Sequence, residues 1–123
     1  KHRRRQRQMC IRDRYNADGI DLDWEYPAIP GPPGHAFRDE DRDNFTDLIK
    51  LLREYMKPDD ILSFAAGGFK SFIDKSVDWD QVTPLIDNVN LMTYDLIGGY
   101  SKVTGHHTSL YSTENQERSG DYA

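Results

Sequence analysis

The stretch Asp18-Gly19-Ile20-Asp21-Leu22-Asp23-Trp24-Glu25 decides the reading of this chain. Its acids are spaced D-x-x-D-x-D-x-E. Ile20, Leu22 and Trp24 alternate with Asp21, Asp23 and Glu25, which is the period of two of a β-strand. One face of that strand is apolar and the other carries three carboxyl groups in a row. Like charges this close resist joint ionisation. The common reason to keep them is proton transfer, with one carboxyl held protonated to act as an acid. Two plainer readings are a solvated acidic strand edge and a cation-binding loop. The apolar alternation argues for burial against the first. D-x-D metal loops carry a glycine turn rather than Leu22 and Trp24, which argues against the second.

Around this octet the first strand is expected over about Asn16 to Trp24. Tyr26 to Glu40 holds Pro27, Pro30, Gly31, Pro32, Pro33 and Gly34, the chemistry of a turning loop. A helix is expected from Asp41 or Asp43, either of which suits an N-cap. Phe45, Leu48, Ile49, Leu52, Tyr55 and Met56 form one helical stripe and are assigned to the core. Lys57-Pro58 ends that helix, and Asp59-Asp60 is a turn. Ile61 to Ala66 reads as a buried strand closed by Gly67-Gly68. Phe69 to Lys75 reads as a loop or short turn. A shorter helix is expected over about Asp78 to Asp87, with Pro84 inside it as an obstacle. Val89 to Tyr94 is the third strand. A polar loop follows from Leu96 to about Ser112, and Thr113 to Ala123 is polar and suits the opening of a further helix.

Strands alternating with crossover helices imply parallel strands in an α/β fold. The spacing of strand starts suits a (β/α)8 TIM barrel. Three strands cannot close one, so the chain is expected to be a central slice of a larger barrel. A doubly wound sheet is the structural alternative, but no G-x-G-x-x-G follows any strand.

Composition narrows the partners. The chain has 123 residues, 37% of them hydrophobic, and a formal charge of -5. Residues 1–14 hold seven Lys/Arg and one Asp, leaving residues 15–123 strongly acidic. An acidic body is a poor nucleic-acid binder, so no nucleic-acid partner is expected. No 18-residue apolar run is present, so no membrane span is expected either. Cys10 is the sole cysteine and allows no internal disulfide. The basic run Arg4-Arg5-Gln6-Arg7-Gln8-Met9-Cys10-Ile11-Arg12-Asp13 reads as a translated transposase sequencing adapter, so residues 1–14 are expected to be a non-native tail and residues 15–123 the native segment. Adjacent His106 and His107 lack cysteine partners and are expected to face solvent or substrate; no metal and no cofactor are expected.

Asp18 to Pro27 (DGIDLDWEYP) resembles the signature strand of glycoside hydrolase family 18, the chitinases and their relatives. Met92-Thr93-Tyr94-Asp95 resembles the M-x-Y-D motif of the same family, and Ala65 to Gly68 with His106-His107-Thr108 and Leu110-Tyr111 resemble its bacterial chitinases. The resemblance covers nearly all of residues 15–123. It implies a (β/α)8 barrel of which this chain supplies about strands 4 to 6. It implies retaining hydrolysis of β-1,4 links between N-acetylglucosamine units in chitin, with the substrate's own acetamido oxygen as nucleophile. By the same resemblance Glu25 is the general acid and then base, Asp23 orients the acetamido group, Asp21 shares a proton with Asp23, and Tyr94 contacts the acetamido carbonyl. Asp95 would lie near the same sugar and Met92 would line the pocket floor; Tyr26 is expected among the sugar contacts, and Phe69 and Tyr100, just after strand ends, are expected to stack on sugar rings. Asp18 is read as a structural hydrogen-bonder at the strand start, and Trp79 as packing for the short helix. The resemblance further implies a secreted enzyme, monomeric at full length. The isolated segment is expected to be inactive, weakly stable and to expose apolar sheet edges. An endo-β-N-acetylglucosaminidase acting on N-glycans and a non-catalytic chitin-binding lectin are the rival readings. Intact Glu25 disfavours the lectin, and Trp24 with Tyr26-Pro27 favours the chitinase.

Overall fold

Three strands, β1 (Gly19–Leu22), β2 (Ile61–Gly67) and β3 (Asn88–Met92), form one parallel sheet in the order β1-β2-β3. The computed structural model describes residues 11–99, 101–102 and 104–111. The expected Thr113–Ala123 segment and Tyr100 lie outside the described residues. The strands are parallel as their alternation with helices required. Register aligns Asp21 with Ser63, Leu22 with Phe64, Ala65 with Asn90 and Gly67 with Met92. Paired residues of a parallel ladder share a face. Ile20, Leu22, Leu62, Phe64, Ala66, Val89 and Leu91 therefore lie on one side, and Asp21, Ser63, Ala65, Asn90 and Met92 on the other.

The crossover from β1 to β2 is α1 (Asp41–Tyr55), which presents Phe45, Ile49 and Leu52 to the apolar side of the sheet. These residues, Met56 just beyond the helix, Leu62, Phe64 and Ala66 form the core with Ile29, Phe72, Val77 and Val82. At roughly 25 cal/mol per Å² of apolar surface removed from water, this layer is the main stabilising element. Tyr55, expected in the stripe, is exposed, because it falls at the margin of the apolar arc. The N-cap is Glu40, one residue earlier than expected, and its side chain makes no capping bond. Asp41 instead ties the entry, accepting from the Arg38 N–H at 2.8 Å and from Asn44 Nδ2 at 3.2 Å. Helix α1 stops at the turn before Asp60, whose N–H donates to the Lys57 carbonyl at 3.0 Å.

The first strand is shorter than the expected Asn16–Trp24. Asn16 sits in the left-handed region at φ 50°, so extended pairing begins only at Gly19. A Cβ there would lie 1.9 Å from the Ile61 carbonyl oxygen, so only glycine admits β2 this close. The segment expected to be a loop after β2 contains a helix, α2 (Lys70–Lys75), and the expected 78–87 helix is two pieces: α3 (Trp79–Val82) and a 3-10 turn, Thr83–Leu85. Pro84 accounts for the break, since it lacks the N–H an α-helix interior requires but fits the first turn of a 3-10 helix. Asp78 caps α3 through the Gln81 N–H. Within β3, Val89 and Leu91 are exposed although they share the core-facing side with Phe64. Residues 11–15 are also helical, and Arg12 is buried in an ion pair with Asp60.

Arg53 ties α1 to the starts of β2 and β3. Its guanidinium donates to the carbonyls of Leu85 at 2.8 Å and Asp60 at 2.9 Å, and to Asp87 Oδ2 at 2.6 Å. Asp87 Oδ2 also accepts from the Leu62 N–H at 2.8 Å. The Leu62 N–H, then the Arg53 guanidinium, hold the Asp87 carboxyl below the usual carboxylate range.

Candidate active site

All three strands end at one edge of the sheet because they are parallel. At that edge lie Asp23 to Glu25 after β1, Gly68 and Phe69 after β2, and Thr93 to Asp95 after β3. In open and closed α/β sheets alike, the C-terminal strand ends are where chemistry is placed. The alternation read from the octet is realised. Leu22 is buried, Ile20 and Trp24 are packed on the core, and Asp21 and Asp23 are exposed on the opposite side.

Glu25 is partly buried and held from both flanks. Trp24 packs edge-on against Phe45 with centroids 6.1 Å apart. Phe45 meets Phe64 at 5.2 Å, Phe64 meets Trp79 at 6.0 Å, and Trp79 meets Phe72 at 6.4 Å. Tyr26, the other neighbour of Glu25, packs edge-on against Phe72 at 5.5 Å and Phe69 at 5.2 Å. Edge-on rings at such separations attract beyond simple area burial. The loop after β1 packs against the main chain of Glu25. Gly31 lies against the Glu25 carbonyl so closely that a Cβ would sit 2.1 Å from its oxygen. Asp23, Trp24, Glu25, Pro32, Pro33 and His35 line an open hollow of about 420 Å³.

Tyr26 reports on the electrostatics. Burial first, then its hydrogen bond to Glu25, push its phenol well above the ordinary value of 10.0; the charges of Glu25 and Asp23 and the nearby Tyr94 act in the same direction. The Tyr26 hydroxyl therefore gathers Glu25, Asp23 and Tyr94 into one neighbourhood. Its ring meets Phe69, so two residues expected to contact sugar also contact each other. Met92 ends β3 and is half-buried, and Tyr94 is half-exposed beyond it. Asp95 adopts the left-handed conformation at φ 57°, a state sparsely populated outside glycine and enriched at functional turns. Asp95 Oδ1 lies 3.4 Å from His107 Nδ1, and the Leu96 N–H donates to the His107 carbonyl at 3.1 Å, so the polar loop returns to the site edge.

Asp21 lies deeper in the sheet. Its Oδ1 accepts from Ser63 Oγ at 2.5 Å and Asn90 Nδ2 at 3.0 Å. Sequence reasoning singled out neither partner. The usable signal was parity, since each is a polar residue at an alternate position of an otherwise apolar strand. Among the described residues no group of three or more His, Cys, Asp or Glu is arranged to hold a metal ion, and no helix is long and apolar enough to cross a membrane.

Chitinase A1 of Niallia circulans is 33% identical over 104 residues, covering 79% of this chain and 15% of that protein. The cell-surface multi-modular chitinase ChiW of a Paenibacillus is 44% identical with a TM-score of 0.78, over 89% of this chain and 13% of that one. A family 18 N-acetylglucosaminidase of Paenibacillus barengoltzii is 38% identical with a TM-score of 0.75, over 83% of this chain and 32% of that one. The chain thus spans a third or less of each of these proteins, and its three-stranded α/β sheet is a portion of their TIM-barrel fold. The model of the glycosyl hydrolases family 18 matches residues 7–123, and the chain belongs to that family.

Proposed function

We propose that this chain supplies the catalytic acid of a chitinase, an enzyme hydrolysing β-1,4 links between N-acetylglucosamine units with retention of configuration. The observation that carries the proposal is the convergence of Glu25, Asp23, Tyr26 and Tyr94 at the C-terminal edge of the sheet. Glu25 gives its proton to the glycosidic oxygen as the bond from that oxygen to the anomeric carbon breaks. The substrate's acetamido carbonyl oxygen forms the new bond to that carbon, giving an oxazolinium ion. The Glu25 carboxylate then takes a proton from water, which opens the ring from the same face as the departed sugar. Asp23 accepts from the acetamido N–H and stabilises the positive charge, with Asp21 behind it. Tyr94 donates its hydroxyl to the acetamido carbonyl, Asp95 binds the same sugar, Met92, Tyr26 and Phe69 line the pocket, and Tyr100 is a further candidate for sugar contact. Oligomers of N-acetylglucosamine are the partner and the extracellular space the site of action; no cofactor takes part.

The test uses the protein expressed from the complete open reading frame. It should cleave chitin oligomers and release product first as the β-anomer, followed by proton NMR. Glu25→Gln should lower kcat by several orders of magnitude while oligomer binding persists. Initial α-anomer would exclude the acetamido route, and unchanged turnover in Glu25→Gln would place the acid elsewhere.

A further inference from the structure

We infer that Ser63 and Asn90 are positioning residues that clamp the Asp21 carboxylate by a single oxygen and thereby fix the acidic row beneath Glu25. The inference rests on the reading of Glu25 as the acid.

The clamp crosses the whole sheet. Asp21 is on β1, Ser63 on β2 and Asn90 on β3, and both donors meet the same Oδ1. Ser63 is the register partner of Asp21 and reaches it directly. Asn90 has farther to reach, because neighbouring strands lie about 4.8 Å apart and β1 is therefore roughly 10 Å from β3. Its amide has to pass over β2. The residues of β2 on that face beside the two partners are Ser63, paired with Asp21, and Ala65, the register partner of Asn90. Two small side chains leave the path open. A larger one at Ala65 would stand between the amide and the carboxylate.

Both donors are uncharged, and among the described residues no ion pair to Asp21 is present. Neutral donors fix the plane of a carboxylate without cancelling its charge, so its field remains available to an oxazolinium forming above it. With Oδ1 doubly engaged, Oδ2 is left for the next residue up the same face of the row, which is Asp23. The clamp thus orients the residue that handles the acetamido group, through Asp21 and without touching substrate.

The test is a mutant cycle in the protein from the complete reading frame, with kcat and KM measured on a chitin oligomer and thermal unfolding as a control for folding. Ser63→Ala and Asn90→Ala should each lower kcat on the order of tenfold, since hydrogen bonds to charged groups are the stronger kind, with KM within about twofold. Ser63→Thr keeps the hydroxyl and should recover the turnover that Ser63→Ala loses. Ala65→Leu should reproduce the Asn90→Ala effect and add nothing to it. In an Asp21→Ala background the Ser63 and Asn90 substitutions should lose their effect on kcat. Undiminished effects in that background, or a rise in KM with kcat unchanged, would overturn the inference. Should Glu25→Gln retain turnover, the acid assignment falls, while the cycle through Asp21 still decides the role of the clamp.

Discussion

Gly31→Ala is the sharpest test of how Glu25 is placed. The added Cβ would fall 2.1 Å from the Glu25 carbonyl oxygen, 2.7 Å from its carbonyl carbon and 3.0 Å from the Tyr26 nitrogen. All three are backbone atoms, so no side-chain rotation relieves the clash. Contacts of a Cβ below 3.0 Å are essentially unknown, so loop and strand end must part by at least about 0.9 Å. A displacement of about 1 Å at a catalytic group costs on the order of 100-fold in rate, and overpacking of this kind costs roughly 1–3 kcal/mol of stability. Gly34→Ala is the control. Gly34 sits at φ 89° with open space where a methyl group would go, so its substitution strains the loop by about 1–2 kcal/mol without pressing on Glu25. The assay is steady-state hydrolysis of a chitin oligomer by the protein from the complete reading frame, with melting temperature measured in parallel. Gly31→Ala should lose about two orders of magnitude in kcat, and Gly34→Ala should lose stability alone. Wild-type kcat in Gly31→Ala would show that the loop does not hold the acid.

Other perturbations read other parts of the structure. Because the Tyr26 phenol is raised in the folded state, its contribution is fully present below about pH 10 and is lost as pH rises through and beyond the unfolded value of 10.0. Thermal unfolding followed from neutral to strongly alkaline pH should show that loss, and Tyr26→Phe should flatten it. Asp87 is shifted the other way, so its contribution is present above the unfolded value of 3.8 and is lost as pH falls below it. Asp87→Asn should shallow the acid limb of the melting profile, with Asp78, lowered by its bonds to Gln81, supplying part of the slope that remains. Phe64 is 1% exposed between Phe45 and Trp79. Phe64→Ala should cost about 3–5 kcal/mol by denaturant unfolding, with Phe64→Leu losing clearly less.

Much of the sheet was legible because its signals are periodic. The octet gave β1 its two faces, Ile61 to Ala66 marked the buried strand, and Phe45, Ile49, Leu52 and Met56 marked the buried stripe of α1 and its exit. Helix α2 was missed because it is six residues long and buries only Phe72, too little to display a period. Pro84 signals an obstacle in the sequence, but not the change of helix type that it causes. At the candidate site, spacing and motif marked out the acids and Tyr94, and the fold carries them to or beside the C-terminal strand ends. Ser63 and Asn90 were not legible, because their role depends on register, which joins residues 42 and 69 positions from Asp21. The contact of Tyr26 with Phe69 and Phe72 escaped for the same reason. Sequence spacing reports which face a residue takes, whereas partners across strands emerge only once the strands are aligned.

The rings on either side of Glu25 make a closed circuit. From Trp24 the contacts run through Phe45, Phe64, Trp79 and Phe72 to Tyr26, and the Glu25 backbone completes it. A circuit cut at one place still leaves both of its ends attached. If a ring in the middle of it, Phe64 or Trp79, shrinks, Trp24 stays against Phe45 and Tyr26 against Phe69 and Phe72, so Glu25 keeps both moorings. Among the described residues Trp24 meets one ring and Tyr26 meets two, so the flank of Glu25 on the Tyr26 side survives the loss of one neighbouring ring, whereas the flank on the Trp24 side hangs on Phe45.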